Sequence, residues 1–539
     1  MKKIIFIITV AVFALFLSAC TENFEEINTN PYQISGESLE QDFNHVGSYF
    51  ITLWSGHWFT AIIGHQTMHN LCNTSWVRQL GCPTPFVGGV NNTTYYMRWA
   101  PYWDRIYGSV MAPAAQVKKV ADEGGYDVFS QWATLVMISG AHRLSAYYGP
   151  IIYTNYGTTD PDVYYDTEET LYNTWFAELD EIISVFSANL DYAGLTKFDQ
   201  VYGGDMGMWV KYANSLRLRL AMRIVKIAPA VARAQAEKAM NDPGGLIETN
   251  ADNMMLSLQG NIFGPAVCCF AWDDTRMSAS MESILIGYED NRIASYFAPV
   301  ADASLVTDHP DWPYKGVRVG ALLVEKSDHT PYSTINRDFN DAGKVTKRAL
   351  FTAQETHFLL AEAALYGWTG SALTMTAQGH YEEGIRMSFE EWGAGGADAY
   401  ILNNTGLPLD YDDVVYDGDI NDFTNRITVT VAWDEAADNE IKLEKIMTQK
   451  WIAAQHNSIE AWVDHRRTGY PKLPYNYKND SSPDHGIIAD DDFLYRVPLF
   501  FGNSERVNNP NGYADAVTKL GGPDLISTPL WWDVDGPNF

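Results

Sequence analysis

"FLLAEAALYGW" (residues 358–368) is the stretch that decides the fold class. Its apolar residues recur at spacings of three and four, which is typical of a helix with one buried face. The stretch runs into Gly367, and after a short turn Tyr381, Gly384 and Ile385 mark a second helix with the same period. Because small residues let helices approach closely, we predict that the two helices pack antiparallel on each other.

This predicted hairpin resembles a tetratricopeptide unit, with small residues near the crossing and an aromatic residue on the second helix. Residues 127–186 are a candidate for a second pair, in which the Tyr-rich segment 147–165 replaces the turn. Strand-like runs are few. The sequence therefore predicts an all-α fold of tetratricopeptide-like hairpins, with helical periodicity in residues 39–68, 103–122, 127–148, 167–186, 205–227, 352–367, 372–387 and 441–455.

Long segments rich in Gly, Pro, Asn and Asp separate these helices. They are too long to be simple connectors in a compact domain, and loops of that length usually carry function. We therefore expect ligand-binding residues in residues 79–92, 149–166, 260–275, 299–344 and 393–434.

The charge balance restricts the partners. The 539-residue chain has 37 Lys and Arg against 67 Asp and Glu, a formal net charge of -30, and 46% hydrophobic residues, enough for a large core. Since such a chain repels polyanions, we expect no nucleic-acid partner and no attraction to anionic lipid surfaces.

The first residues predict export and lipid anchoring. Lys2 and Lys3 precede an apolar run at residues 4–17, which is too short to span a bilayer comfortably. "LSAC" (residues 17–20) resembles a bacterial lipobox, which implies acylation of Cys20; the alternative is an ordinary secretory peptide with an incidental cysteine. We predict a signal peptide at 1–19, a lipidated N-terminus and tether at 20–38, and one domain at 39–539.

The remaining cysteines do not form a disulfide framework. Cys72 and Cys82 could close a short disulfide loop in an export compartment. Adjacent cysteines such as Cys268 and Cys269 more often lie buried and unpaired.

Two arginine pairs fall on predicted helices or near a helix end. Arg219 and Arg223 lie one turn apart on a helix that is apolar on both sides, and Arg466 and Arg467 lie in "DHRRTGYP". We interpret both pairs as structural ion-pairing groups rather than ligand sites, since buried guanidinium groups need partners.

Several blocks together resemble the SusD/RagB class of nutrient-binding outer-membrane lipoproteins. Phe24 closely follows the lipobox, and six blocks agree in order and spacing besides the opening stretch; one departure is "GPIIYT", where the family usually has proline before the tyrosine. These six blocks are "NTNPY" (28–32), "YGPIIYT" (148–154), "YYDTEETLYNTWFAELD" (164–180), "MWVKYANSLRLRLAMRI" (208–224), "IMTQKWIAAQHNSIEAWVDHRRTGYPKL" (446–473) and "LWWD" (530–533).

The resemblance implies a helical scaffold whose irregular loops form the ligand surface. Such a protein sits on a SusC-like TonB-dependent outer-membrane barrel, facing the cell exterior, and delivers an oligomeric nutrient to it, either a glycan or a peptide. It implies no enzymatic activity and no cofactor. The alternatives are a lipid-anchored glycan or peptide hydrolase and an adhesive surface protein.

Aromatic residues are the candidate binding groups. The chain has 17 Trp and 31 Tyr, and an exposed ring can stack on the C–H face of a sugar. Trp99, Trp103, Trp175, Trp209, Trp451 and Trp462 follow helical patterns and are expected in the core. The candidates in loop-like stretches are Trp76, Tyr95, Tyr96, Trp272 and Trp312.

Two patterns suggest metal sites but do not match known motifs. His65, His69 and Cys72 share one helical face, yet no general base stands between the histidines. Asp417, Asp419 and Asn421 begin like a calcium loop, but Gly and Glu are missing from the later EF-hand positions. We predict no metal site; a calcium site other than an EF-hand is the alternative to a solvated acidic loop. Catalytic motifs such as G-x-S-x-G are likewise missing from the sequence.

Overall fold

The computed structural model describes residues 65–99, 102–158, 160, 162–258, 260–416, 420–455, 457–499 and 505–539. Within this part of the chain, eleven α-helices have nine or more residues. They are α1 (Ala112–Gly124), α2 (Asp127–Tyr148), α3 (Glu168–Ala188), α4 (Met206–Arg223), α5 (Pro229–Asn241), α6 (Ala279–Gly287), α7 (Ala353–Leu365), α8 (Ala377–Glu391), α9 (Asn439–Ala453), α10 (Ser458–Thr468) and α11 (Pro510–Leu520).

Shorter helical segments complete the helical part of the structure. Short α-helices are found at Thr74–Trp76, Tyr102–Ile106, Gly264–Ala266, Ile293–Tyr296, Lys326–His329, Ala397–Ile401 and Glu505–Asn508, and π-helical segments at Gln66–Asn73, Tyr107–Met111 and Val267–Ala271. Short 3₁₀ segments are found at Val87–Gly89, Asn92–Thr94, Asn250–Asp252, Ala303–Val306 and Arg337–Asn340.

Two small antiparallel sheets lie between the helices. β1 (Leu80–Gly81) pairs with β3 (Arg276–Met277), and β2 (Met254–Ser257) pairs with β4 (Lys347–Phe351). In the second sheet the register shifts between Met254 and Met255, as at a β-bulge. The sheets join loop segments that are far apart in sequence.

Consecutive helices pack as pairs: α1 on α2, α4 on α5, and α7 on α8. Helix α3 packs on both α2 and α4, and therefore links the first two pairs. The pair α7 and α8 is the hairpin predicted from residues 358–368. A Cβ atom added at Gly384 would lie 2.9 Å from the Phe358 ring, so the close crossing depends on a glycine at this position.

Side chains at the helix starts help to set the helix boundaries. Thr167, Asp205, Thr376 and Asp438 accept hydrogen bonds from backbone N–H groups in the first turns of α3, α4, α8 and α9. These bonds satisfy donors that have no partner within the helix.

The interior contains ion pairs as well as apolar side chains. Arg219 donates two hydrogen bonds of 2.7 Å to Glu355, and Arg223 donates to Glu460. Arg467 donates to both carboxylate oxygens of Glu362, at 2.6 and 2.7 Å. These contacts confirm the structural interpretation of these three arginines.

Arg466 differs from that expectation. Its guanidinium donates to the backbone carbonyls of Ala146, at 2.8 Å, and Tyr495, at 2.5 Å, and lies 3.5 Å from the centroid of the Trp462 ring. Carbonyl groups and an aromatic face therefore replace the predicted carboxylate.

The helices predicted by periodicity are present wherever the structure describes them. Residues 127–148 match α2 at both ends, while residues 39–64 of the first predicted helix lie outside the described residues. Helices α5, α6 and α11 were not predicted, whereas α10 was predicted only through the helical pattern at Trp462 and the helix end near Arg466 and Arg467. Cys72 and Cys82 are free, so the possible disulfide between them is not formed, and Cys268 and Cys269 are buried and unpaired as expected.

The departure from the family pattern at "GPIIYT" does not disorder this loop. The backbone of Ile152 both donates to and accepts from the Tyr107 hydroxyl, each at 2.8 Å. The N–H groups of Tyr153 and Thr154 donate to Asp166.

Among the described helices, none combines the length and apolar composition that crossing a bilayer requires. The predicted signal peptide, Cys20 and the tether lie outside the described residues.

Candidate functional site

Five irregular segments that are distant in sequence come together in one surface, which we call the loop face: residues 82–99, 270–276, 308–332, 410–424 (without 417–419) and 475–486. β1 and β3 join the first two. The N–H of Asp480 donates to the carbonyl of Thr94 at 2.7 Å, and the N–H of Lys478 donates to that of Gly320 at 2.8 Å. Backbone pairing therefore fixes the segments to one another.

Asp413 is the buried anchor of the loop face. Its carboxylate accepts hydrogen bonds from His329 Nε2 at 3.0 Å, the Tyr332 hydroxyl at 2.6 Å and Asn421 Nδ2 at 2.8 Å. Burial alone would raise the pKa of this carboxyl group, but the hydrogen bonds and the nearby His329 hold the pKa of Asp413 below its ordinary value. Segments 308–332 and 410–424 are thus held together through one carboxylate.

An acidic recess opens on the loop face beside this anchor. It has a volume of about 480 Å³ and is lined by Asp410, Tyr411, Asp412, Asp422, Phe423 and Thr424. The rings of Tyr411 and Phe423 stack, with centroids 5.2 Å apart and planes 19° apart. The recess therefore combines aromatic surface with hydrogen-bond acceptors.

Asp412 is an exposed carboxylate of the recess, as is Asp410. It accepts no hydrogen bond from any other residue that the structure describes, whereas Asp410 accepts one from the Asn425 N–H at 2.8 Å. Partial burial and the neighbouring Asp422 raise the pKa of Asp412. Ionised carboxylates only accept hydrogen bonds, so the recess suits ligands rich in O–H or N–H groups and repels anions.

Arg318 connects the recess with the most exposed ring nearby. Its guanidinium lies 5.7 Å from the centroid of Phe423 and 5.8 Å from that of Tyr477, whose side chain is 51% exposed. Arg318 is held by the carbonyls of Asp422 and Tyr475. The exposed ring of Tyr477 is therefore placed beside the recess, where it is available for stacking.

The structure contradicts two of the five predicted stacking residues. Trp76 and Tyr95 are each 1% exposed. The Trp76 ring packs against Trp462, its Nε1 donates to the carbonyl of Asn92 at 2.9 Å, and the Tyr95 hydroxyl accepts from Arg78. Polar neighbours in the sequence suggested loop exposure, but the chain folds these rings into the core.

The other three predicted residues are partly accessible. Tyr96 and Trp272 lie on the loop face; Tyr96 contacts His485 edge-on at 5.7 Å, and Lys326 donates to the carbonyl of Trp272 at 2.5 Å. Trp312 is half-buried, and its carbonyl is 2.8 Å from His309 Nδ1. The role of these three residues in ligand binding stays a prediction.

Sequence reasoning missed Phe423, Tyr477 and the exposed side of Trp99. Of the tryptophans expected in the core, Trp103, Trp175, Trp209, Trp451 and Trp462 are buried, but Trp99 is half-buried and contacts Phe86 edge-on at 5.1 Å. The available signal for Phe423 and Tyr477 was their position in long loops rich in Asp and Asn.

The described residues contain no group of three or more His, Cys, Asp or Glu placed to hold a metal ion. His65 and His69 stack with centroids 5.3 Å apart, while the Cys72 thiol donates to the carbonyl of Thr67. Of the calcium-like pattern, Asp417 and Asp419 lie outside the described residues, and the Asn421 amide is bonded to Leu322 and Asp413.

The helices pack in pairs, and the loops between them carry a surface of aromatic and acidic side chains. This arrangement is that of a helical-repeat protein with its candidate site on loops. The chain belongs to the SusD-like family, described as "Susd and RagB outer membrane lipoprotein", whose model matches residues 26–533.

Solved structures of this family superimpose on nearly the whole chain. A chitin-binding SusD homolog from Flavobacterium johnsoniae is 38% identical, with a TM-score of 0.84, covering 92% of this chain and 100% of that one. A SusD homolog from Bacteroides vulgatus is 32% identical, with a TM-score of 0.84 and coverages of 93% and 100%. A SusD-like protein from Bacteroides thetaiotaomicron is 30% identical, with a TM-score of 0.80 and coverages of 91% and 99%. Curated proteins gave no match.

Proposed function

We propose that the protein captures a glycan on the loop face and passes it to a SusC-like TonB-dependent barrel in the outer membrane, without cleaving it. Family membership supports the location. A similar protein of known structure is described as chitin-binding, which makes an oligosaccharide of N-acetylated sugars the first ligand to test.

The observation that carries the proposal is the pairing of the exposed Tyr477 ring with the acidic recess. A sugar presents a C–H face that stacks on an aromatic ring and hydroxyl groups that donate to carboxylates. The recess at about 480 Å³ lies within the range of roughly 300–1,000 Å³ that is typical of ligand pockets. Its negative charge disfavours acidic glycans and nucleic acids.

A peptide is the second candidate ligand. The same carboxylates accept hydrogen bonds from peptide N–H groups, and the net charge of -30 favours neutral or basic sequences over acidic ones.

Anchoring through Cys20 and exposure at the cell surface belong to this proposal. Two or three acyl chains hold a protein at a membrane persistently, because each buried methylene contributes about 0.8 kcal/mol. Metabolic labelling with palmitate should mark the protein, and Cys20→Ser should abolish the label and release the protein from envelopes. Labelling that survives Cys20→Ser would contradict this anchor.

Binding is tested by calorimetry with chitooligosaccharides, a glycan array and a peptide array. Tyr477→Ala should weaken glycan binding about fivefold, because an aromatic stack contributes about 1 kcal/mol. Asp412→Asn should weaken it further, since a hydrogen bond to a charged group contributes about 1.5–3 kcal/mol.

Tyr164→Ala is the matched control, because Tyr164 is 41% exposed but lies outside the loop face. Equal affinities for Tyr477→Ala, Asp412→Asn and Tyr164→Ala would refute the assignment to the recess. The predicted residues Tyr96, Trp272 and Trp312, each changed to Ala, map how far the site extends. Release of shortened sugars that one carboxylate substitution abolishes would instead establish the hydrolase alternative.

Transfer requires association with the barrel. Purification from envelopes in mild detergent should recover the protein with a TonB-dependent barrel. Recovery of the protein alone, under conditions where other such pairs remain together, would favour an adhesive role.

A further inference from the structure

A second cavity lies among the helices, and its wall shares no residue with the loop face. Its volume is about 320 Å³. It is bounded by β4, the first turn of α7, the end of α9 and the start of α10. The residues that matter for its chemistry are Met255, Phe339, Ala349, Trp392, Gln455 and Asn457.

Gln455 is a polar side chain of this wall without a hydrogen-bond partner among the described residues. Its side chain is buried, the residue being 3% exposed, and neither its Oε1 nor its Nε2 has a hydrogen-bond partner among the described residues. The buried Oδ1 of Asn457, two positions further on, lacks a partner in the same part of the chain. Because buried polar atoms are almost always hydrogen-bonded, these atoms indicate a partner inside the cavity.

Two charged groups of the wall, Lys450 and Glu355, already have ion-pair partners. Lys450 pairs with Asp464 at 2.8 Å, and Glu355 is bonded through both oxygens to Arg219. An incoming ion would have to break such a pair, at a cost of several kcal/mol. Arg348 and Glu391 also line the cavity, and the charge of Arg348 opposes the rise that burial causes in the pKa of Glu391. Because charges of both signs line the cavity, we expect an occupant without charged groups to enter at the lowest cost.

One part of the wall is apolar and partly aromatic. The rings of Phe339 and Trp392 lie edge to face with centroids 6.1 Å apart, and Met255 and Ala453 also line the cavity. An occupant that matches this wall has an apolar face on one side and groups that donate and accept hydrogen bonds on the other. A hydroxyl group both donates and accepts hydrogen bonds through one oxygen. It can therefore donate to Oε1 of Gln455 or accept from its Nε2.

Access is possible at the start of β4. Lys344, Thr346 and Lys347 line the cavity and are exposed, whereas Gln455 and Glu460 lie at its buried end. The opening thus lies at the edge of the small sheet formed by β2 and β4.

We propose that this cavity binds one neutral sugar ring, as a monosaccharide or a single terminal residue, through the amides of Gln455 and Asn457 and the rings of Phe339 and Trp392. Its volume, at the lower end of the range of roughly 300–1,000 Å³ for ligand pockets, suits one ring rather than an oligosaccharide. This site is independent of glycan binding on the loop face.

The test is saturation-transfer NMR and calorimetry with N-acetylglucosamine and glucose. Glycine is the comparison compound, because it is small and carries an ammonium and a carboxylate group. The intact protein should bind at least one of the sugars and not glycine. Gln455→Leu should weaken sugar binding at least tenfold without lowering the melting temperature, since leucine fills similar space and needs no hydrogen-bond partner.

Gln378→Leu is the matched control, because Gln378 bonds to Glu382 on the surface of α8. Ala349→Leu, which narrows the cavity from β4, should also weaken sugar binding. Tyr477→Ala should leave monosaccharide binding at the cavity unchanged. The cavity proposal and the loop-face proposal can therefore fail separately.

Three results would overturn the proposal. The first is that no sugar binds at millimolar concentration, so that the cavity holds water only. The second is that glycine binds and the sugars do not. The third is that sugar affinity is equal in Gln455→Leu, Gln378→Leu and the intact protein.

Discussion

Replacement of Asp413 by asparagine should release the loop face without unfolding the helices. The carboxylate accepts hydrogen bonds from His329, Tyr332 and Asn421, and it is 98% buried, since its residue is 2% exposed. An asparagine keeps one oxygen but turns an N–H₂ group toward donors. At least one charge-assisted hydrogen bond is therefore lost, and one buried donor is left without an acceptor.

The size of the effect follows from these contacts. A hydrogen bond to a charged group contributes about 1.5–3 kcal/mol, and an unsatisfied buried donor costs a further 1 kcal/mol or more, so we expect a loss of about 3 kcal/mol. This corresponds to a rise of about a hundredfold in the population of the released loop. Segment 410–424 should become the most mobile part of the loop face.

Hydrogen exchange measured by mass spectrometry tests this expectation. Peptides covering 410–424 and 322–332 should exchange about a hundred times faster in Asp413→Asn, while peptides from α1 and α2 should not change. Asp412→Asn is the control, because that carboxylate is exposed. Unchanged exchange in 410–424, or equal acceleration in α1 and α2, would refute the anchor.

The anchor also has a defined pH dependence. The pKa of Asp413 is lower in the folded protein than the ordinary value, so its stabilisation is present above the ordinary pKa of about 3.9 and is lost as pH falls through the folded value. Acidification from pH 5 to pH 3 should therefore lower the protection factor of segment 410–424, which is corrected for the slower intrinsic exchange at low pH, more in the intact protein than in Asp413→Asn.

Three further perturbations test the scaffold. Burial raises the pKa of Glu168 to about 7. The contribution of its protonated form to stability is therefore complete below about pH 4.5 and is lost as pH rises through 7. The melting temperature of Glu168→Gln should fall less between pH 5 and pH 8 than that of the intact protein. Arg292→Lys should lower stability by about 3 kcal/mol in denaturant titrations, because lysine cannot reproduce the paired contacts with the buried Asp290. Gly287→Ala should cost about 2 kcal/mol or more, because the added Cβ would overlap the backbone carbonyl of Leu407.

Each of these has a control or a contradicting result. A Glu168→Gln protein whose stability falls between pH 5 and pH 8 as much as the intact protein's would show that Glu168 does not gain a proton on folding. Unchanged stability in Arg292→Lys would contradict the requirement for a planar guanidinium. Gly395→Ala is the matched control for Gly287→Ala, because a Cβ at position 395 would have no atom within 4 Å.

Periodicity predicted most of the long helices that bury apolar stripes, although it missed the short helix α6, which buries Met281, Ile284 and Leu285. Helix α10 carries Glu460, Asp464 and Arg467 on buried positions, where ion pairs replace apolar contacts and interrupt the period. Helix α5 buries mainly small alanines, whose weak signal resembles that of a polar segment.

Residue order and local spacing were enough to identify the family, the helical class and four of the five segments of the loop face, whereas segment 475–486 was not expected. Tertiary structure alone decided which aromatic rings are exposed. Trp76 lies in a polar stretch and is nonetheless enclosed by Trp462 and Tyr147, whereas Tyr477 remains exposed beside Arg318. The physical reason is that the exposure of a ring depends on side chains hundreds of residues away, and such contacts leave no local pattern in the sequence.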